Sequence, residues 1–179
     1  LSADASLGMP DFRAGERTFQ LMTQVSGRSG RGKQKGEVVL QASQPEHPVF
    51  ELVLKHDYYG FIERELERRK QLLYPPYSRV ALLTFTETDE SVCSSAARFF
   101  HSHLEPAASF FRMYQPQPAI IKRINRRFRY QIFIRIDKGK DPDGRHFEHA
   151  LNHAREQYDS RKEYRKVFLT VDIDPYHLL

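Results

Sequence analysis

The chain has 179 residues, 40% of them hydrophobic, with 13 Phe, 9 Tyr and no Trp: enough apolar material for one domain, or one and part of another. A formal net charge of +5 and a pI of about 9.3 suit an anionic partner without specifying one. Cys93 is the only cysteine, which excludes an internal disulfide and a cysteine-built zinc site, and no apolar run is long enough to span a bilayer.

The chain opens Leu1-Ser2-Ala3-Asp4, with no initiator Met and no basic stretch ahead of an apolar one. It reads as neither a signal peptide nor a natural start, so the expectation is a chain that begins inside a domain. The lone cysteine fits a reducing, cytoplasmic setting.

From Ala14 to Val25, Phe19, Met22 and Val25 recur at helical spacing with Leu21 beside them, which predicts an amphipathic helix ending at Gly27. Ser26 to Gly36 is rich in Gly, Ser, Lys and Arg and reads as a loop. Glu37-Val38-Val39-Leu40-Gln41-Ala42 reads as a short strand of a larger sheet that the chain mostly lacks. Pro45 to Leu73 reads as two helices. Val49, Leu52 and Val53 stripe the first; Tyr58, Ile62, Leu66, Arg69 and Leu73 lie along the second, whose exposed side is charged through Glu63, Glu65, Glu67 and Arg68-Arg69-Lys70. Tyr74-Pro75-Pro76-Tyr77 breaks that helix.

The remaining residues predict a self-contained unit. Val80 to Phe85 is a strand, and Asp89 caps a helix carrying Val92, Ala96, Phe99, Phe100 and Leu104. A hairpin follows: Ala119 to Lys122, a basic turn, then Phe128 to Ile136. Phe147, Ala150, Leu151, Ala154 and Tyr158 mark a second helix, and Lys166 to Asp172 a last strand. The order β-α-β-β-α-β is that of a split βαβ, ferredoxin-like sandwich, so the fold class is α/β (α+β).

Two constellations carry chemistry. In Gln24-Val25-Ser26-Gly27-Arg28-Ser29-Gly30-Arg31, two arginines stand three apart, each a planar fork that matches phosphate oxygens. Taken bare, such a pattern is a solvated basic loop punctuated by glycine. The second lies around Lys122, Arg123, Arg126 and Arg127, followed by a strand on which Phe128, Tyr130, Ile132, Ile134 and Ile136 share one face and Arg129, Gln131, Phe133 and Arg135 the other. Cations beside aromatic rings hold single strands and forks, but the same pattern keeps an exposed hairpin soluble and its edge unpaired. The pattern alone favours neither reading.

Three bland features complete the survey. His101, His103, His146, His149 and His153 read as solvated helix residues, Cys93 as packed in its helix, and Asp172 and Asp174 as closing the last strand.

The spacing Gln-x-x-Gly-Arg-x-x-Arg resembles the last motif of superfamily-2 helicases, and the flank from Met9-Pro10-Asp11-Phe12-Arg13 through Leu21 narrows the likeness. With Pro116-Gln117-Pro118-Ala119, the Arg129-Tyr130-Gln131 strand and the Asp172-Ile173-Asp174-Pro175 ending, the whole chain resembles the C-terminal portion of the bacterial primosomal replication-restart helicases. It departs from that pattern at Ser26 and Ser29, where alanine is commoner, and at Gln115, where glycine is.

The resemblance implies an ATP-dependent 3′-to-5′ DNA helicase that recognises stalled forks and assembles a primosome. Residues 1–42 would end its second, RecA-like lobe, residues 43–76 would form a helical connector, and residues 77–179 an S10-like domain binding DNA and partners. Arg31 would be the arginine finger and Arg28 a second phosphate contact, both catalytic, with Gln24 and Gly27 in the ATP site. Lys122, Arg123, Arg126, Arg127, Arg129 and Tyr130 would hold DNA.

ATP and Mg²⁺ would bind the full-length protein, and zinc only a region upstream of Leu1. No Gly-x-x-x-x-Gly-Lys-Ser/Thr loop occurs here, so the chain alone is expected to be inactive. Expected partners are forked and single-stranded DNA, the acidic tail of single-stranded-DNA-binding protein near Arg145, and other primosome proteins, with no membrane. The alternative is a stand-alone split-βαβ nucleic-acid-binding module.

Overall fold

A computed structural model describes residues 7–29 and 38–178. Contacts divide the chain once, between Gln71 and Leu72. Against the boundaries drawn from sequence at 42 and 76, residues 43–71 fall in the first unit and residues 72–76 in the second.

In the first unit, α1 (Ala14–Ser29), α2 (Pro48–Leu54) and α3 (Tyr58–Leu72) gather a small core of Phe19, Met22, Val49, Phe50, Leu52, Val53 and Phe61. Pro48 opens α2, where its fixed φ suits the first turn, and His47 Nδ1 accepts from Val49 N at 3.3 Å. Phe19 and Phe61 stack with centroids 4.4 Å apart.

Three sequence expectations fail here. Helix α1 runs past Gly27 to Ser29, so Arg28 sits on the last helical turn. A Cβ at Gly27 would meet nothing within 4 Å, so nothing in the packing demands glycine or stops the helix there. The strand expected at Glu37–Ala42 is not formed over Val38–Ala42, where only Gln41 makes an isolated bridge. Leu40 and Ala42 pack on the helical core, which buries their apolar side chains. Finally, Glu65 and Arg69 are not on a solvated face: side chains only 11% and 12% exposed pair at 2.7 Å, and Arg69 also reaches Glu16 at 2.8 Å and covers the Phe12 ring.

The second unit contains β1 (Ser78–Glu87), α4 (Glu90–Leu104), β2 (Phe111–Met113), β3 (Gln117–Ile124), β4 (Arg127–Asp137), α5 (Arg145–Asp159) and β5 (Phe168–Ile173). The sheet runs β2-β4-β1-β5 with β3 also on β4, and each of these pairings is antiparallel. Setting aside the three-residue β2, the main strands lie in the order β3-β4-β1-β5 with one helix after β1 and one after β4. That is the split βαβ arrangement expected from sequence, with β2 as an unforeseen addition.

Period-two patterning places Ala81, Leu83 and Phe85 of β1 and Ile132, Ile134 and Ile136 of β4 on one face. They pack under Cys93, Ala96, Phe100 and Leu104 of α4 and Phe147, Ala154 and Tyr158 of α5. Asp89 caps α4 as predicted, its Oδ1 accepting from Ser91 N at 2.8 Å and Val92 N at 3.2 Å. Asp174 closes the last strand: its Oδ1 accepts from Val80 N at 2.9 Å while its own N–H donates to Val80 O at 2.7 Å.

The opposite face carries no helix of this unit. At its Ser78 end, Arg135 is buried; its Nη1 donates to the Leu72 carbonyl, and its guanidinium lies over Tyr74 at 4.8 Å and Tyr114 at 5.0 Å. Among the described residues no helix is long and apolar enough to cross a membrane.

Candidate nucleic-acid interface

Strands β3 and β4 are joined by a two-residue turn at Asn125 and Arg126, with φ of 49° and 64°. Two successive left-handed residues match the twist of a tight hairpin, and asparagine tolerates that conformation better than most side chains. The turn is therefore shorter than the basic turn expected from sequence. Lys122 and Arg123 lie on β3 and Arg127 on β4. All four of these flanking and turn cations (Lys122, Arg123, Arg126, Arg127) are exposed.

Pairing register separates the cations into two groups. On the helix side, Arg123 lies over the Phe128 ring at 4.9 Å and Lys122 at 5.8 Å. Lys122 Nζ also meets Glu90 Oε1 at 2.7 Å, and Tyr130 donates its hydroxyl hydrogen to the same oxygen at 3.0 Å. Glu90, in the first turn of α4, is thus the hub of this side. The Lys122 hydrogen bond, and then that from Tyr130, hold its carboxyl below the usual range. The same contact raises Lys122. Burial first, and Glu90 second, push Tyr130 up. On the other face, Arg127 and Arg129 alternate with Phe128 and Tyr130, and Arg129 Nη1 points to the Ile121 carbonyl at 3.4 Å.

Of the six residues singled out for DNA, Tyr130 differs most from expectation. Its ring is half-buried and packs against the core. The signal missed in sequence is Glu90, which lies 32 residues before Lys122 and can be linked to it only through the β4–α4 packing.

Elsewhere, Gln24 and Gly27 are exposed on α1, Arg28 occupies its last turn, and Arg31 lies outside the described residues. The histidines are not uniformly solvated. His101 is buried, and desolvation lowers its pKa against the pull of Glu105; His146 stacks on Phe110 at 4.0 Å. His149 and His153 are exposed beside a groove of about 540 Å³ that also takes in Arg145. Cys93 is buried, its thiol raised chiefly by desolvation and directed at the Phe85 carbonyl at 3.3 Å.

Fold and site together define a split-βαβ domain that presents an exposed, arginine-rich hairpin. Residues 70–176 match the family model described as Primosomal protein N C-terminal domain, and the chain belongs to that family. It is 33% identical over 180 residues to the Replication restart protein PriA of Bacillus subtilis, covering 100% of this chain and 22% of the relative. The Synechocystis protein of the same name is 40% identical over 138 residues, 75% of this chain and 16% of that one. The Chlamydia pneumoniae protein is 33% identical over 176 residues, 98% and 22% respectively. The chain thus spans about a fifth of the length of these relatives.

Proposed function

We propose that this chain is the C-terminal portion of a replication-restart protein, an ATP-driven 3′-to-5′ DNA helicase that recognises stalled forks and assembles a primosome. The observation that carries this reading is the match along the entire chain to relatives named for replication restart. In this reading the β3–β4 hairpin contributes contacts to forked and single-stranded DNA, chiefly through Arg123, Arg126, Arg127 and Arg129. The groove beside Arg145 suits the acidic tail of single-stranded-DNA-binding protein, and other surfaces meet further primosome proteins.

Arg31 acts as the finger that stabilises charge on the transferred phosphoryl group of ATP, Arg28 as a second phosphate contact, and Gln24 and Gly27 face the nucleotide. Mg²⁺ and the phosphate-binding loop belong to the rest of the parent protein. The test is DNA-stimulated ATP hydrolysis by the intact parent, wild type against Arg31→Ala. The expected result is retained DNA binding with turnover reduced by about 10³- to 10⁵-fold. Equal turnover in the two proteins refutes the finger.

A further inference from the structure

The face of the sheet opposite α4 and α5 is buried at one end and exposed on its β5 edge at the other. Val80 and Leu82 are buried beneath the end where Arg135, Tyr74 and Tyr114 meet. Toward the Glu87 end the face is half-buried at Thr86 and Arg129 and exposed at Phe168, and the register aligns Phe168 of β5, Thr86 of β1 and Arg129 of β4 in one row across three strands. Phe168 is 64% exposed, an aromatic ring left on solvent by a domain that buries Phe85, Phe100, Phe111 and Phe147.

Basic residues lie close in sequence to both ends of that row: Arg127 is two residues before Arg129 on β4, and Lys166 two before Phe168. Both lower the pKa of the Glu87 carboxyl at the end of β1, after the larger effect of its hydrogen bonds from Thr88. The row's next neighbour is neutral and polar, with Gln131 Nε2 donating to Thr84 Oγ1 at 3.2 Å. No carboxylate belongs to either row.

We propose that Phe168 is a base-stacking position for single-stranded DNA, with phosphates on either side held by Arg127, Arg129 and Lys166. This rests on the reading that the domain binds DNA and adds a site on a strand remote in sequence from the hairpin. Two strand spacings, about 10 Å, separate Phe168 from Arg129, a span that one nucleotide and the reach of an arginine side chain cover. An unpaired base has a free face to lay on an exposed ring, whereas a base in a duplex is already stacked on both sides. The platform therefore selects unpaired strands, while the cations alone would accept either.

The experiment titrates the 179-residue chain with a labelled oligo(dT) and with a blunt duplex of equal length, each over a series of salt concentrations. Phe168→Ala should weaken oligo(dT) binding by about 5- to 100-fold, the range for loss of one stacked base, with unchanged salt slope and unchanged duplex affinity. Phe168→Tyr should restore binding, because the ring and not its hydrophobicity is what matters. Unchanged oligo(dT) affinity in Phe168→Ala overturns the platform, as does an equal loss on duplex or a failure of tyrosine to rescue. A parallel variant with Arg126, Arg127 and Arg129 all replaced by alanine separates the two ideas. If its salt slope falls while Phe168→Ala binds as wild type, the hairpin stands and the platform falls. If its slope is unchanged while Phe168→Ala is weak, the hairpin falls together with the phosphate contacts assigned to Arg127 and Arg129, and the stacking ring alone stands; if neither variant differs from wild type both are wrong.

Discussion

Asp141 shows how one buried carboxylate sets a helix in place. It is fully buried; Oδ2 accepts from Phe147 N at 2.9 Å, and Oδ1 accepts from His146 N at 3.1 Å with His146 Nδ1 at 3.2 Å. The N-cap position of α5 is Gly144, with φ of 83° and no side chain, so Asp141 supplies the acceptors that a capping residue would. Burial alone would raise its pKa, but the N–H groups of Phe147 and His146 outweigh it and hold the carboxyl below its ordinary value. Asp141→Asn turns one acceptor into a donor facing a backbone N–H, and should cost about 1–3 kcal/mol in urea unfolding at pH 7. A folded-state pKa below the unfolded one stabilises above the unfolded value, and that stability is lost as pH falls through the folded pKa. The gap between wild type and variant should thus be full at neutral pH and narrow below about pH 4. A gap independent of pH would mean that the carboxylate charge contributes nothing.

At the scale of elements, the hairpin is the clearest case for measurement. Arginines release counterions when they meet phosphates, and each contact steepens the salt dependence by somewhat less than one. Replacing Arg126, Arg127 and Arg129 together should therefore reduce the salt slope of DNA binding by about 2 to 3. An unchanged slope would remove this hairpin from the DNA surface.

Strand β4 was legible in the sequence because every second residue from Phe128 to Ile136 is apolar, a pattern only a one-sided strand needs. Helix α4 was legible because Asp89 is a cap placed directly before an apolar stripe. The run Val38–Ala42 was misread because apolar residues record burial and not the partner, and here Leu40 and Ala42 pack on a core drawn from three helices. β2 was invisible, since three residues cannot show a period. Arg135 shares a face with Phe133 and Gln131 just as a solvent-facing residue would, and only the fold reveals that Tyr74 and Tyr114 close over it.

That enclosed guanidinium bears on the whole molecule, because its partners come from the segment ahead of β1. The Leu72 carbonyl accepts from it and Tyr74 covers it, while its Nε has no partner among the described residues. A piece comprising residues 72–179 should fold cooperatively by itself, as its own core and the family match over 70–176 suggest. A piece starting at Ser78 keeps every strand but strips Arg135 of that acceptor and one ring. It should be less stable by at least about 1–3 kcal/mol in thermal or urea unfolding. Equal stability of the two pieces would show that the segment merely leads into the domain.

The carboxylate of Glu90 is a built-in competitor. It already occupies Lys122 at 2.7 Å, so any phosphate arriving there must displace a resident anion before it gains a contact. The hairpin therefore presents less attraction than its count of cations suggests, a brake on indiscriminate binding. Removing the brake with Glu90→Gln should tighten binding to oligo(dT) and steepen its salt dependence by up to about one unit. An affinity and slope equal to wild type would mean that Lys122 faces away from the bound strand.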